Sequence, residues 1–133
     1  MSDYPCVCIS LRKASRKLTA HYDEALEPAG ISVTQFSMLR NIKREGPCSL
    51  TRLASVVELD RSTLGRNMRV LEKRGLVAMK PGYDQREATL TLTAAGYALI
   101  ERGIPLWEKA QRAIRTKLGA DGAAQLDALL GAL

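Results

Sequence analysis

Residues 49–93 constrain the fold of this chain more than any other stretch. After Ser49 comes Leu-Thr-Arg-Leu-Ala-Ser-Val-Val, a short amphipathic run with Leu53, Ala54 and Val57 on one side and Ser49 placed to cap it. The pattern restarts behind Asp60, whose carboxylate can accept the free backbone N–H groups of a new helix and favours its positive end. Leu64, Met68 and Leu71 then recur at helical spacing as a buried stripe. Arg61, Ser62, Gly65, Arg66, Arg69 and Lys73 are left facing outward, and Gly75 supplies the left-handed position that ends the helix. Residues 76–80 (Leu-Val-Ala-Met-Lys) and 88–92 (Ala-Thr-Leu-Thr-Leu) look like the two strands of a hairpin, joined by a polar loop too long for a two-residue turn. Short helix, tight turn, basic helix and charged ribbon, in that order, predict a winged helix-turn-helix. Such a helix fits the major groove of DNA, and the ribbon can reach a neighbouring groove.

Charge is distributed to match. Residues 40–90 hold 11 Lys or Arg against 6 Asp or Glu, whereas residues 1–39 balance at 4 against 4 and residues 91–133 at 5 against 4. Nearly all of the formal net charge of +6 therefore falls on the segment expected to meet phosphates. A merely soluble basic face is the plainer reading of the charge taken alone. At 133 residues, 46% hydrophobic and 26% charged, the chain has the composition of an ordinary globular domain.

Flanking segments carry helical stripes that a compact reading head does not need. Leu11, Ala14, Leu18, Tyr22 and Leu26 form one, and Pro28 and Gly30 stop it. Ser32 and Gln35 have the form of a capping box for a second helix that turns Phe36, Leu39 and Ile42 inward and ends near Gly46-Pro47. Thr93-Ala-Ala-Gly-Tyr opens a long helix with Leu99, Ile100, Ile104, Trp107, Ile114 and Leu118. Pro105 should kink that helix and Gly119 end it, with Asp121 capping a last short helix that bears Leu126, Leu129 and Leu130. A partner subunit is the simplest cover for these apolar faces.

In this helix order the chain resembles the MarR family of bacterial transcription regulators over essentially its whole length. The most specific fragments are residues 59–77, the wing Asp84-Gln-Arg86, and residues 92–96 (Leu-Thr-Ala-Ala-Gly). The resemblance implies a mainly α protein with a small β-wing, one domain over residues 1–133. Residues 31–93 would be the DNA-binding lobe, and 1–30 and 94–133 the dimerisation helices. It implies a homodimer whose two recognition helices read a palindrome in double-stranded promoter DNA about one turn apart. Arg61, Ser62, Thr63 and Arg66 would approach bases and phosphates, and Arg69 and Lys73 the backbone. Arg86 would enter the minor groove, with Asp84 bracing the wing. The family usually carries a second arginine between those two, and Gln85 takes its place here, which weakens the expected contribution of the wing.

Relatives also bind small aromatic or phenolic effectors between the dimer helices and the DNA-binding lobe, for which Tyr22, Phe36, Met38 and Trp107 are the candidates, although all four also suit a core. The run from Cys8 to Thr19 is similar to the segment around the peroxide-reactive cysteine of the OhrR branch. Cys8 matches that cysteine and Tyr22 one of two surrounding tyrosines, while Arg12 stands where the other would be. Losing a phenol removes a hydrogen-bond donor to the thiolate, and an arginine lowers a thiol pKa. Cys8 has three readings at this point: a small buried hydrophobe in the interface, a thiol sensor, or part of a metal site with Cys6, Cys48 and His21. Those residues match no closed zinc spacing, so no metal or cofactor is expected. Cys6, two residues away on the same helix, would face elsewhere.

The expected protein is thus a sequence-specific regulator, most simply a repressor released by an effector, with a Cys8 peroxide sensor or a non-specific architectural protein as alternatives. No nucleophile elbow, phosphate loop or paired-His motif supports an enzyme. Three cysteines, no basic apolar leader and no run long enough to span a bilayer point to a cytoplasmic location and no membrane contact.

Overall fold

A computed structural model describes residues 3–81 and 88–133. The first helix, α1 (Val7–Leu26), passes through a 3-10 turn over Glu27–Ala29 and stops at Gly30, which adopts φ 69°. Cys6 is the N-cap of α1 in an extended conformation (φ −65°, ψ 121°). It therefore lies outside the helix, and assigning it to a different helical face from Cys8 does not hold.

The capping box forms as its sequence requires. Gln35 N donates to Ser32 Oγ at 3.2 Å and Ser32 N to Gln35 Oε1 at 3.4 Å, opening α2 (Val33–Glu45). A further donor of the same helix end, Val33 N, reaches Asp23 Oδ1 on α1 at 2.7 Å, so α1 and α2 are joined by a side-chain cap as well as by packing. Phe36, Met38, Leu39 and Ile42 are buried on α2.

Next come α3 (Leu50–Val57), capped by Ser49 Oγ from Arg52 N at 3.0 Å, and α4 (Arg61–Lys73). The ribbon is not two-stranded. β1 (Cys48–Ser49) joins β2 (Val77–Pro81) and β3 (Ala88–Leu92) in an antiparallel sheet of order β1-β3-β2, with Cys48 opposite Leu90 and Val77 opposite Leu92. Two residues show no alternation, so β1 has no sequence signature. It exists because Cys48 is buried beside the fully buried Leu90.

The last helix, α5 (Ala94–Gly131), starts at Thr93, whose Oγ1 accepts from Gly96 N at 3.1 Å. It runs through Pro105 and breaks at Gly119, where φ 76° and ψ 164° are non-helical. Helix resumes at Ala120, so Asp121 falls in the first turn of the outer segment instead of capping it. Across the break Arg115 Nη2 lies 3.7 Å from Asp127 Oδ2. Twelve residues of straight helix would separate them by about 18 Å, so the outer segment turns back on the inner one.

A continuous core joins Leu26 at the end of α1, Phe36, Leu39 and Ile42 of α2, Leu53, Leu64, Met68 and Leu71 of the helix-turn-helix, Leu90 of the sheet, and Leu99 and Ile100 of α5. Outside it, α1 and the outer part of α5 present apolar side chains to solvent, with Val7 69% and Leu129 68% exposed. Among the described residues no helix is long and apolar enough to cross a membrane.

Candidate nucleic-acid interface

One side-chain cap and one left-handed residue set the approach of α4. The turn from α3 passes through Glu58 at φ 55°, ψ 44°, then Leu59, and Asp60 caps α4. Asp60 Oδ1 accepts from Thr63 N at 2.8 Å and Oδ2 from Thr63 Oγ1 at 2.7 Å. Those two bonds, the hydroxyl first, hold the Asp60 carboxyl below the usual carboxylate range, with the Arg66 charge adding to them. The Thr63 hydroxyl also accepts from Arg66 Nη2 at 3.3 Å. Thr63, expected to approach DNA, is thus engaged within the protein, and it connects the cap to Arg66.

At 100° per residue, Ser62, Arg66, Arg69 and Lys73 fall within about 60° of one another around α4, while Leu64, Met68 and Leu71 centre on the opposite side. The exposure pattern agrees: those three leucine and methionine side chains are fully buried and the four polar ones exposed, and Arg61, in the first turn and off this stripe, is exposed as well. One side of α4 anchors it and the other is offered outward as a basic stripe about 16 Å long. Among the described residues, no carboxylate lies within ion-pair distance of Arg69 or Lys73. Gly65 borders this stripe, and a Cβ placed there would meet nothing within 4 Å. The wing residues Asp84, Gln85 and Arg86 lie outside the described residues.

The four effector candidates are not brought to one cleft. Phe36 is 1% exposed and Met38 is also buried, and being two residues apart on α2 they point in different directions. Phe36 and Trp107 share a cleft of about 180 Å³ between α2 and α5 with Arg40 and Arg44. The Arg40 guanidinium lies 4.6 Å from the Trp107 ring centroid and 5.8 Å from that of Phe36. Met38 borders a separate cleft with Val57 and Leu59. Tyr22 lines a third, with Leu18, Gln111 and Leu126, where its hydroxyl donates to Gln111 Oε1. Burial raises the pKa of that hydroxyl, against the Arg115 charge. Arg40 has no local signal in the sequence, because its nearer ring, Trp107, is 67 residues away on α5.

Cys6 and Cys8 are exposed in the chain and Cys48 is buried. Fourteen residues separate Cys8 from Tyr22 on α1, about 21 Å along the axis, so one chain cannot bring them together. His21 Nε2 lies 3.3 Å from Ala110 O on α5. Among the described residues no three of His, Cys, Asp and Glu converge on a possible metal position.

A helix-turn-helix with an outward basic stripe, backed by a three-stranded sheet and flanked by long helices with exposed apolar side chains, defines a winged-helix domain of the DNA-binding class. The model of the MarR family matches residues 31–87. The HTH-type transcriptional regulator FarR of Neisseria gonorrhoeae is 32% identical over 101 residues, 75% of this chain and 69% of that protein. The HTH-type transcriptional repressor NicR of Pseudomonas putida is 30% identical over 96 residues, 71% of this chain and 61% of NicR. The match likewise spans 61% of the Bacillus subtilis regulator YwoH, less than two thirds of either YwoH or NicR. The M. tuberculosis transcriptional regulator MosR, in complex with DNA, superposes with a TM-score of 0.85 at 35% identity, covering 96% of this chain and 94% of that one. The chain belongs to the MarR family.

Proposed function

We propose that the chain acts as a homodimer in which two copies set their α4 helices into successive major grooves of a palindromic promoter site, repressing transcription until a small aromatic or phenolic effector loosens the grip. The basic stripe of α4, diametrically opposite its buried anchor, carries this reading. Arg61, Ser62 and Arg66 at the front of the helix are placed for bases and phosphates, with Thr63 holding Arg66, and Arg69 and Lys73 for the backbone. Arg86 is assigned to the minor groove, braced by Asp84. Residues 31–93 form the reading lobe, and 1–30 and 94–133 the dimerisation helices, whose exposed apolar side chains support burial against a second copy. The repressor name of NicR supports repression, and the DNA complex of MosR supports DNA binding.

An effector acts only by binding the DNA-competent and incompetent arrangements with different affinity. The cleft of Phe36, Arg40 and Trp107 suits an aromatic acid, because it joins an apolar wall to a guanidinium at the seam between lobe and dimerisation helix. Titrating salicylate-type acids into the DNA complex tests this. Release that Arg40→Gln abolishes, with DNA affinity otherwise kept, supports it. Release that persists in Arg40→Gln moves the effector elsewhere.

A second reading rests on Cys8, exposed on α1 and able to approach Tyr22 only from the partner's helix. Organic hydroperoxide would oxidise its thiol to a sulfenic acid with loss of alcohol. Under this reading DNA is released by hydroperoxide, rebound after thiol reductant, and held throughout by Cys8→Ser. Unchanged affinity under oxidant returns Cys8 to interface packing.

A further inference from the structure

The end of α4 is fastened on two sides by three consecutive residues. Arg74, the C-cap, sends Nη2 to Gly30 O at 2.6 Å and Nη1 to Gln35 Oε1 at 3.3 Å. Gly30 is the left-handed residue at which the chain leaves α1, and Gln35 is the capping-box residue that opens α2. Gly75 O accepts from Thr93 Oγ1 at 2.6 Å, and Leu76 O from Thr93 N at 3.2 Å. Thr93 caps α5, and Gly96 approaches Leu76 so closely that a Cβ there would lie 2.2 Å from its carbonyl oxygen. The recognition helix is therefore tied to the exit of one long flanking helix through Arg74, and to the entry of the other through Gly75 and Leu76.

These two ties differ in kind. The α5 side combines the Thr93 hydroxyl, a backbone bond and the close packing of Gly96 on Leu76. On the α1 side the only tie made by residues 74–76 among the described residues is one charged side chain bonded to a hinge carbonyl, a short charge-assisted hydrogen bond. Arg74 is also turned about 100° from Lys73, away from the basic stripe, so its charge is not aimed where the stripe meets phosphates.

We propose that Arg74 is a positioning residue that fixes the angle of α4 to the dimerisation helices, and through it the separation of the two reading heads. The inference rests on the two-headed reading above. The helix is about 20 Å long, so even a small change of its angle within the core, set at Arg74, displaces the DNA-reading residues at its front. Without the guanidinium, α4 keeps its buried stripe and the α5 tie but loses the bond that references its angle to the exit of α1. Each head keeps its contacts, but the pair no longer prefers one spacing.

The test is fluorescence anisotropy on the palindrome that the wild-type protein selects from a randomised pool, and on duplexes with the half-sites moved one base pair closer or further apart. We expect wild type to reject both altered duplexes. Arg74→Met should bind the palindrome roughly tenfold more weakly, with that rejection largely lost and the salt dependence unchanged. Arg74→Lys, which keeps one donor for Gly30 O, should recover part of the rejection. Loss of affinity with the spacing preference intact overturns the proposal, including when a lowered melting temperature accompanies it. A salt slope lowered by about 0.9 with uniform weakening also overturns it, because Arg74 is then a phosphate contact. Should Arg74→Met fail to fold, Arg74→Lys and Gln35→Ala are compared with wild type on the same duplexes, and an unchanged spacing profile in both is equally fatal. If wild type itself shows no spacing preference, the two-headed reading fails, and this one with it.

Discussion

Asp60 accepts two hydrogen bonds from Thr63, one from the backbone N–H at 2.8 Å and one from the hydroxyl at 2.7 Å. The pair fixes the start of the recognition helix, and through the same hydroxyl it orients Arg66. Because the bonds favour the charged form, the Asp60 pKa is lower folded than unfolded. The stabilisation is then fully present above the ordinary carboxylate range, near 4, and is lost as pH falls through the lower folded value. Asp60→Asn keeps an acceptor but does not titrate. Its melting temperature should lie below wild type at neutral pH, and the gap should close in acid. A gap of constant size from neutral pH to pH 3 would show that the carboxylate charge plays no part.

Gly65 lies inside α4, where glycine costs about 0.5–1 kcal/mol relative to alanine, yet no neighbour in the chain occupies the space a Cβ would take. Packing therefore does not explain it, whereas close approach of DNA does. Gly65→Ala should raise stability by about that amount in urea melts and still weaken DNA binding several-fold. An alanine variant that is more stable and binds as well as wild type removes the argument for close approach.

Arg66→Ala should cost roughly 1–3 kcal/mol of affinity and relax base preference at one position of each half-site. Arg69→Ala and Lys73→Ala should weaken all sequences alike, each lowering the salt slope by about 0.9. For Arg86→Ala the loss should be largest on sites with A·T-rich flanks, whose narrow minor groove attracts arginine. Titrations of each variant against a substituted operator series decide these assignments. A uniform loss for Arg66→Ala would move that residue to the phosphates.

Burial raises the pKa of the Cys48 thiol, and the nearby Glu45 charge adds to this against Arg52, so little thiolate is present at neutral pH. Mass spectrometry after brief maleimide treatment should find Cys6 labelled well before Cys48. Equal rates at the two would mean that the β1 edge opens readily, contrary to its pairing with β3.

What was legible in the sequence was what the chain encodes locally. Ser32, Ser49, Asp60 and Thr93 each cap a helix through bonds three residues away, and the buried stripe of α4 is a matter of helical period. Long-range partners were not legible. Nothing near Arg74 announces that Gly30, 44 residues earlier, will accept its guanidinium. The stacking of Arg40 on Trp107 and the pairing of Cys48 with Leu90 likewise need the folded lobe before they have meaning. Chemistry alone groups the effector candidates, whereas the fold distributes them over three clefts, because Phe36 and Met38 face opposite sides of α2 and Tyr22 stands on α1. A helical face for Cys6 fails because the helix begins one residue later.

The most direct measurement of the central claim is the affinity and stoichiometry of the full chain on three duplexes: the palindrome it selects, one half-site alone, and a scrambled sequence of equal length, each over a range of salt. The account predicts two chains per palindrome, preference over the scrambled duplex by at least ~1,000-fold, a much weaker half-site, and a steep loss of binding with salt. Equal affinity for palindrome and scrambled duplex at every salt concentration would contradict it, leaving a basic protein that coats DNA without reading it.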